Sequence, residues 1–277
     1  MGQIKQKTAF EIIRRICIVL ALFIAVFPVF WLILAALKTP AELSRMPPKL
    51  LFEPTLMHIT QIFRGSDIVR NMQNSMFLTF FSVVISVVIG TMAAYALSRF
   101  RIRGKGIIIF FVISVRFVPY IVFGIPLFLI MSRWGIMGNR YGLVLSYTLL
   151  HLPVVIWLMK GFFDDIPTAL EEAAYVDGAS NLQAFMRILI PSARPGLVTV
   201  TVLSVIFSWN EFLLALILAD RRTQPLTVPL TQFLGGLEWG VRWGLLASWA
   251  IIASIPVIIV ALLMSKYLRE GFTRGLQ

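Results

Sequence analysis

Long apolar runs that alternate with short charged connections are the main pattern of this chain of 277 residues. Six runs are long enough to cross about 30 Å of hydrocarbon, which takes about 20 helical residues. They cover residues 17–37, 75–97, 107–131, 141–159, 197–218 and 245–265. Because lipid offers backbone amides no partner, each run is expected to be helical. The pattern therefore predicts an all-α polytopic membrane protein with about six transmembrane helices.

The composition supports this interpretation and excludes two other classes. Hydrophobic residues make up 58% of the chain and charged residues 14%, whereas soluble domains carry about 25% charged residues. A soluble fold is therefore not expected. The net charge of +12 does not indicate nucleic-acid binding, because the cations lie in short clusters between apolar runs, as in membrane-flanking loops. Cys17 is the single cysteine, so the chain has no internal disulfide.

The distribution of cations predicts the orientation. Residues 99–105 hold four cations and the N-terminal segment 1–16 holds four more, which places both on the cytoplasmic side. An even number of spans in a transmembrane domain of residues 17–268 returns the tail 269–277 to that side. Five cations in segment 38–74 and the pair Arg221 and Arg222 oppose this orientation. The compact cluster receives more weight because long segments translocate with less regard for charge.

The first apolar run allows a second interpretation. Four cations precede it, as they precede the apolar core of a signal peptide, but at about 20 residues it is longer than such a core. An uncleaved first helix is therefore favoured. Within the later spans, Ser86, Gly90 and Ala94 recur every fourth residue and predict a face for close helix packing. Four prolines predict helix kinks, namely Pro119, Pro126, Pro153 and Pro256.

A loop with its own helix signals separates the fourth and fifth spans at residues 160–195. Residues 168–171 have the form of a capping box, and the helix that they begin is expected to end at Gly178. A second box at residues 180–183 predicts another short helix that ends at Pro191. Its apolar stripe would consist of Leu182, Phe185 and Leu189. The loop is thus expected to form two short helices joined at a sharp glycine turn.

The spacing in this loop resembles that of a known family. Glu172, Ala173 and Ala174 are followed at fixed intervals by Gly178, Ile188 and Pro191, which is similar to the EAA loop of binding-protein-dependent ABC importer permeases. In that family the loop forms coupling helices that dock into a cleft of the ATPase subunit. The resemblance implies a set of coupling residues in this chain: Glu171, Glu172, Ala173, Ala174, Asp177, Gly178, Ile188 and Pro191.

Further blocks resemble the carbohydrate branch of the family, the maltose-permease type. They lie at residues 37–39, 74–75, 94–100, 157–163, 209–213 and 272–276. The resemblance implies the ABC importer permease (MetI-like) fold and a bacterial inner-membrane location. It also implies three kinds of protein partner: a second homologous permease, a pair of ATPase subunits and an extracytoplasmic solute-binding protein. In that family the tail can reach the ATPase pair, but this chain stops at Gln277, so the tail contact stays open.

Motifs that the sequence lacks limit its chemistry. No G-x-x-x-x-G-K-[ST] loop occurs, so ATP and Mg are expected on the partner ATPase and no cofactor on this chain. No H-E-x-x-H or G-x-S-x-G pattern supports an intramembrane enzyme. Secondary transport stays an alternative, although no internal repeat favours it. A non-sugar solute, such as glycerol-phosphate or a polyol, also stays open.

Polar residues inside the predicted spans are candidates for the translocation pathway. Arg116 would lie roughly 14 Å deep at about 1.5 Å per residue, and a charge there costs about 2.5 to 3.5 kcal/mol. Glu211 is a candidate partner for it, and a pathway role, a structural pair between helices or snorkelling of the side chain to the interface all fit. Asn210 is expected to brace a helix or to touch a sugar hydroxyl. His151 is expected to brace two helices through a hydrogen bond.

Overall fold

The computed structural model describes residues 2–65, 67–235 and 240–274. Over these residues every regular element is helical, which confirms the predicted all-α class. The α-helices are α1 (Gly2–Leu37), α2 (Pro40–Leu43), α3 (Met57–Gly65), α4 (Ile68–Arg99), α5 (Lys105–Ser114), α6 (Tyr120–Arg133), α7 (Arg140–Asp164), α8 (Ala169–Val176), α9 (Asn181–Ala184), α10 (Ile190–Ser192), α11 (Arg194–Trp209), α12 (Leu213–Leu218) and α13 (Trp243–Arg274). A π turn covers Phe185–Leu189, and 3-10 turns cover Val115–Phe117 and Val228–Phe233.

Four single helices are long and apolar enough to cross a membrane, and they belong to α1, α4, α7 and α13. Two bent pairs raise the number to six if each pair counts as one span. One pair consists of α5 and α6, bent by 97°, and the other of residues 181–192 and α11, bent by 75°. The predicted number of about six agrees with this count, while the boundaries of the individual spans stay a prediction.

The third predicted span, residues 107–131, is not one continuous helix. Helix α5 ends at Ser114, and α6 begins only at Tyr120. Pro119 explains the break, because a proline disfavours helical backbone in the residue before it. Val118 accordingly has φ −80° and ψ 125°, an extended conformation. Of the four prolines predicted to kink helices, Pro119 lies at this break, whereas the others lie inside α6, α7 and α13.

The fifth predicted span, residues 197–218, is also interrupted. Helix α11 ends at Trp209, and α12 begins at Leu213. A carboxylate oxygen of Glu211 accepts the backbone amide of Leu214 at 2.9 Å, so Glu211 satisfies a free N–H in the first turn of α12. A single apolar run therefore folds as two helices, because a polar side chain within it begins a new helix.

The described residues divide into two compact units, Met1–Asp67 with Leu230–Ser254 and Ile68–Pro229 with Ile255–Gln277. In the first unit, α3 packs against α1, and His58 is buried with its Nε2 atom 3.0 Å from the carbonyl oxygen of Lys38. The Lys38 ammonium lies over the rings of Trp31 and Phe52, at 5.5 and 5.1 Å from their centroids. The aromatic faces compensate this buried charge.

In the second unit, α4 packs along α7 and α11. The predicted small-residue face of α4 is buried at Ser86, Gly90 and Ala94. A Cβ atom on Gly90 would lie 2.5 Å from Cγ1 of Val155 in α7, so the two helices approach too closely for any side chain there. The hydroxyls of Ser82 and Ser208 lie 3.1 Å apart and connect α4 to α11. The prediction of a close-packing face is confirmed.

Candidate functional site

The loop that carries the family-like spacing begins with helix α8, which ends at a glycine as predicted. Gly178 has φ +83°, a conformation that strongly favours glycine. The Gly178 amide donates to the carbonyl of Tyr175 at 3.1 Å, and the Ala179 amide donates to the carbonyl of Ala174 at 2.9 Å. This pair of bonds is the Schellman motif, which satisfies carbonyls at a helix C-terminus. The turn between the two short helices is therefore fixed by the backbone.

The start of α8 differs from the prediction of a capping box. Thr168 has helical dihedral angles, φ −61° and ψ −26°, and its side chain makes no capping hydrogen bond. The Glu171 side chain does not reach back to Thr168, because it forms an ion pair with Arg99 at the end of α4. The predicted box at Thr168 and Glu171 is wrong. A buried cation offers Glu171 a stronger partner than an exposed backbone amide does.

Arg99, Glu171 and the carbonyl of Ile166 form a polar cluster that we call the Arg99 clamp. Arg99 Nε donates to Glu171 Oε1, and Arg99 Nη2 donates to the Ile166 carbonyl oxygen at 2.8 Å. The side chains are 12% exposed for Arg99 and 5% for Glu171, so solvent hardly weakens the pair. The clamp fixes the first turn of α8 to the last turn of α4.

A second polar contact holds the entry to the loop. The Ser98 hydroxyl donates to a carboxylate oxygen of Asp164 at 2.6 Å, and Lys160 forms an ion pair with the same carboxylate. Asp164 is the last residue of α7. The end of α4 is thus bound to α7 through Ser98 and to α8 through Arg99.

The second short helix begins as predicted and continues farther than predicted. The Ser180 hydroxyl accepts the Gln183 amide at 3.3 Å, and the Gln183 side chain accepts the Ser180 amide at 2.9 Å, which confirms the second capping box. Pro191 does not end the helix, because it occupies the first turn of α10, where its missing N–H costs no hydrogen bond. The bend follows at Ala193, between α10 and α11.

The apolar stripe predicted for this helix is only partly correct. Phe185 and Leu189 are buried, whereas Leu182 is 68% exposed. Phe185 packs against the rings of Tyr95 and Phe163, with centroids 4.7 and 6.3 Å away. The loop is therefore anchored in the bundle by aromatic contacts, while Leu182 faces away from the chain.

The residues of the family-like motif divide into an exposed set and a buried set. Exposed are Glu172, Ala173, Asp177, Gly178 and Pro191. Glu171 and Ala174 are buried, and Ile188 is half-buried. Large apolar side chains stand among the exposed set at Leu170, Val176, Leu182 and Met186, with Val176 87% exposed. The loop thus combines an exposed, partly apolar face with a buried face that binds α4 and α7.

The proposed pathway residues do not form one cluster. Arg116 donates to the hydroxyl of Tyr120 and lies over the rings of Tyr120 and Phe207, at 5.8 and 5.3 Å from the centroids. Among the described residues, Arg116 makes no ion pair with Glu211, whose carboxylate binds the start of α12. The suggested pair is therefore wrong for this conformation, because each group has a local partner. A pathway role for either residue stays a prediction.

The remaining polar candidates have different environments. Asn210 is exposed, and its side-chain amide donates to the carbonyl of Ile206 at 2.8 Å, so it binds its own helix. His151 is buried, and neither ring nitrogen has a hydrogen-bond partner within the described part of the chain. Its ring instead meets Tyr147 edge to face, with centroids 6.4 Å apart. The expected hydrogen-bonded brace at His151 is wrong, since the contact is one of ring packing.

Sequence reasoning missed the role of Arg99. Arg99 belongs to the cluster of cations at residues 99–105, which predicts the membrane orientation, and to the family-like block 94–100, but neither pattern assigns it a contact with the loop. Arg99 lies next to Ser98 at the end of a span, and a charged side chain there can reach a loop on the same side of the membrane. Its position was therefore a usable signal. No spacing rule, however, connects residue 99 with residue 171.

Comparison with known proteins identifies the family. Residues 86–274 match the family described as the binding-protein-dependent transport system inner membrane component. The chain is 35% identical over 255 residues to the trehalose transport system permease protein SugB of Mycobacterium tuberculosis. The aligned region covers 91% of this chain and 92% of that relative. It is 29% identical to the trehalose/maltose transport system permease protein MalG of Thermococcus litoralis, covering 96% of this chain and 97% of that one.

A solved structure extends the similarity to the fold. A chain of a bacterial ABC transporter involved in the import of the acidic polysaccharide alginate superposes with a TM-score of 0.79 and 26% identity, covering 95% of this chain and 97% of that chain. The predicted ABC importer permease fold is confirmed, and so is the prediction of a transport subunit and not an enzyme. This chain belongs to the binding-protein-dependent transport system inner membrane components, the multi-pass permease subunits of ABC importers.

Proposed function

We propose that this permease imports a carbohydrate and takes its driving force from a separate ATPase through the loop at residues 160–195. The observation that carries the proposal is the two-sided loop. Its buried face is fixed to α4 and α7 by the Arg99 clamp and by Asp164, and its exposed face presents apolar side chains. An exposed apolar patch on a rigid support is typical of a protein interface. A force on that face would reach the bundle with little loss.

The exposed part of the motif is the proposed contact with the ATPase. Ala173 is small and exposed on α8, so it lets a partner surface approach the helix backbone. Glu172, Asp177 and Pro191 are also exposed and would meet that surface directly. The buried members Glu171 and Ala174 lie on the side of α8 that faces the bundle, and they hold α8 on it. Ile188, half-buried, supports the second helix.

A carbohydrate is the best-supported class of solute. The similar permeases belong to trehalose and to trehalose/maltose transport systems, and the similar solved structure belongs to an importer of the polysaccharide alginate. All three solutes are saccharides. A permease for glycerol-phosphate or a polyol is the second candidate from the sequence, and none of these three similar proteins favours it.

The proposed assembly contains four kinds of protein chain. This permease pairs with a second, similar permease to enclose the pathway, and two ATPase subunits bind the cytoplasmic loops. ATP and Mg bind to those ATPase subunits and not to this chain. A solute-binding protein delivers the solute from outside, and both termini of this chain lie in the cytoplasm. The family description supports the binding protein, and the cations at residues 99–105 support the orientation.

A matched pair of tryptophan substitutions tests the docking face. Ala173→Trp adds bulk to an exposed position of α8, and Ala41→Trp adds the same bulk to an exposed position of α2. Both variants should fold, because neither position is buried. In membranes that contain the whole transporter, we expect Ala173→Trp to release the ATPase subunits and abolish uptake, and Ala41→Trp to keep both. Normal ATPase binding and uptake in Ala173→Trp would refute the proposal.

A further inference from the structure

Two buried polar side chains of α7 lie in the middle of the bundle without a hydrogen-bond partner. Tyr147 is 1% exposed and His151 is 3% exposed. Within the described part of the chain, neither the Tyr147 hydroxyl nor either ring nitrogen of His151 makes a hydrogen bond. The two residues are four positions apart, so they lie on one face of the helix. His151 lies about 16 Å from the start of α7 at about 1.5 Å per residue, near the middle of the helix. We call this pair the Tyr147–His151 face.

The Tyr147–His151 face lies beside the breaks of both interrupted spans. Arg116, at the break of the third span, is close enough to His151 to interact with it electrostatically. Glu211, at the break of the fifth span, interacts in the same way with Tyr147. Both charged groups bind local partners, so they leave the polar atoms of the face unsatisfied. Non-helical backbone at membrane depth is tolerated where it is buried in protein or lines a water-filled cavity.

The unsatisfied groups destabilise the arrangement in which they are buried. A donor or acceptor that leaves water and gains no partner loses free energy, because its hydrogen bonds to water are not replaced. A phenylalanine at residue 147 would fill the same space without this loss. The polar groups of the face therefore weaken the closed packing, and they gain partners only when the face is uncovered.

The helices that cover the face are the second halves of the interrupted spans, α6 and α12. Tyr147 belongs to a core cluster that includes Met131 of α6 and Leu214 of α12. These two helices pack closely on each other, since a Cβ atom on Gly124 would lie 2.5 Å from Cδ1 of Ile217. Each is joined to the first half of its span through a break, where the backbone can change direction without loss of helical hydrogen bonds. The pair α6 and α12 can therefore move away from α7 together.

We infer that the Tyr147–His151 face is a binding site for hydroxyl groups, closed in this conformation and filled when α6 and α12 move away from α7. A phenol donates and accepts hydrogen bonds, and an imidazole in its neutral form carries one donor and one acceptor. A hydroxyl group matches both side chains. One cation, Arg116, and one anion, Glu211, flank the face, which favours an uncharged ligand. The hydroxyl belongs to water or to a saccharide, and only the saccharide rests on the proposed function.

The first experiment measures how fast a charged thiol reagent modifies His151→Cys in the complete transporter in nanodiscs. The variant is made with Cys17→Ser, which removes the single natural cysteine of the chain, and the label is read on this chain by its mass. The rate is compared without nucleotide and with a non-hydrolysable ATP analogue. We expect the two rates to differ about tenfold or more, because a buried site reacts only through the fraction of molecules in which it is open. The control Val155→Cys, buried on α7 against Gly90 of α4, should react slowly in both conditions.

A second variant tests the hydroxyl of Tyr147. Tyr147→Phe removes one oxygen atom, which relieves the closed arrangement and removes a hydrogen-bond partner from the open one. In the faster of the two conditions, we expect it to lower the modification rate of His151→Cys about tenfold. The matched control Tyr141→Phe removes the same atom from a side chain of α7 that is 74% exposed, and it should leave the rate unchanged. A Tyr147 hydroxyl that only held a structural water in the closed bundle would give an unchanged or faster rate and would overturn the inference.

Trehalose separates the two sources of the hydroxyl. Slower modification of His151→Cys in its presence would assign saccharide hydroxyls to the site, and an unchanged rate would assign water, and both results support a hydroxyl site. Equal rates with and without the ATP analogue, in a wild-type background that couples ATP hydrolysis to uptake, would overturn this inference alone. A wild-type complex that binds no ATPase would overturn the proposed function itself.

Discussion

Removal of one partner of the Arg99 clamp should uncouple ATP hydrolysis from uptake. Glu171→Gln keeps the shape of the side chain and removes its charge, which leaves the Arg99 guanidinium 12% exposed and without its carboxylate. Arg99→Ala leaves the opposite charge, on Glu171, unpaired at 5% exposure. Either change loosens the first turn of α8 from the end of α4. The ATPase would still bind the exposed face, but its motion would no longer reach the bundle.

The size of the effect follows from the burial of the pair. Removing one partner of a buried ion pair costs about 3 to 5 kcal/mol, because the other charge stays buried without compensation. About 1.4 kcal/mol corresponds to a factor of ten in an equilibrium constant. The ratio of molecules with α8 clamped to molecules with α8 detached should therefore fall about 100-fold or more. Exposed pairs contribute only about 0 to 1 kcal/mol. The pair Glu11 and Arg14, with side chains 46% and 56% exposed, is therefore a suitable control.

The assay compares uptake with ATP hydrolysis in proteoliposomes that hold the complete transporter. We expect Glu171→Gln and Arg99→Ala to keep the ATPase on the membrane while uptake per ATP falls at least tenfold. Glu11→Gln should resemble the wild type. The exchange variant Arg99→Glu with Glu171→Arg should recover part of the coupling, which would show that the two side chains act together. Full coupling in both single variants would refute the role of the clamp.

Three further predictions concern helix packing at Gly90, the turn at Gly178 and the hydrogen bonds of Asn74. Gly90→Val forces a side chain against Val155 of α7, which should cost roughly 1 to 3 kcal/mol of stability and lower the thermal unfolding midpoint in detergent. Gly161→Ala should leave the midpoint unchanged, because its new Cβ would meet no atom of another described segment within 4 Å. Gly178→Ala would meet no atom of the described residues within 4 Å but requires φ +83°, at a cost of about 1 to 2 kcal/mol, so it should reduce uptake per ATP without lowering expression. Asn74→Ala removes two buried hydrogen bonds and should speed amide hydrogen exchange at residues 221–226 while exchange in α7 is unchanged.

Two local patterns predicted the structure of the loop correctly, whereas the capping box at Thr168 was wrong. The left-handed glycine at residue 178 and the capping box at Ser180 and Gln183 depend on contacts within a few residues, so the sequence contains everything that decides them. The close-packing face at Gly90 was also predictable, since small residues repeated at every fourth position of a membrane helix let a neighbouring helix approach closely. The number of spans followed from apolar length alone.

A long-range partner explains one wrong prediction, and local partners explain another. Glu171 stands three residues after Thr168, as in a capping box, but an arginine 72 residues earlier binds it instead. Glu211 was the suggested partner of Arg116, but each side chain binds a group closer in the sequence. Glu211 binds the start of α12, and Arg116 binds Tyr120. A hydropathy average does not resolve the breaks after Ser114 and Trp209, because the few polar residues at them, such as Arg116 and Glu211, hardly lower the mean of an apolar window.

Helix α4 connects two sets of buried polar contacts, one at each of its ends. It runs without a proline from Ile68 to Arg99, so its backbone hydrogen bonds are continuous and it resists bending. One end binds the loop through Arg99, and at the other end the side-chain amide of Asn74 donates to the carbonyls of Arg222 and Gln224. Displacing one end of a rigid rod translates or rotates the rod as a whole. Motion of the proposed ATPase contact would therefore be transmitted along α4 to residues 222–224. A proline placed in the middle of α4 should then abolish stimulation of ATP hydrolysis by the binding protein more strongly than it lowers basal hydrolysis.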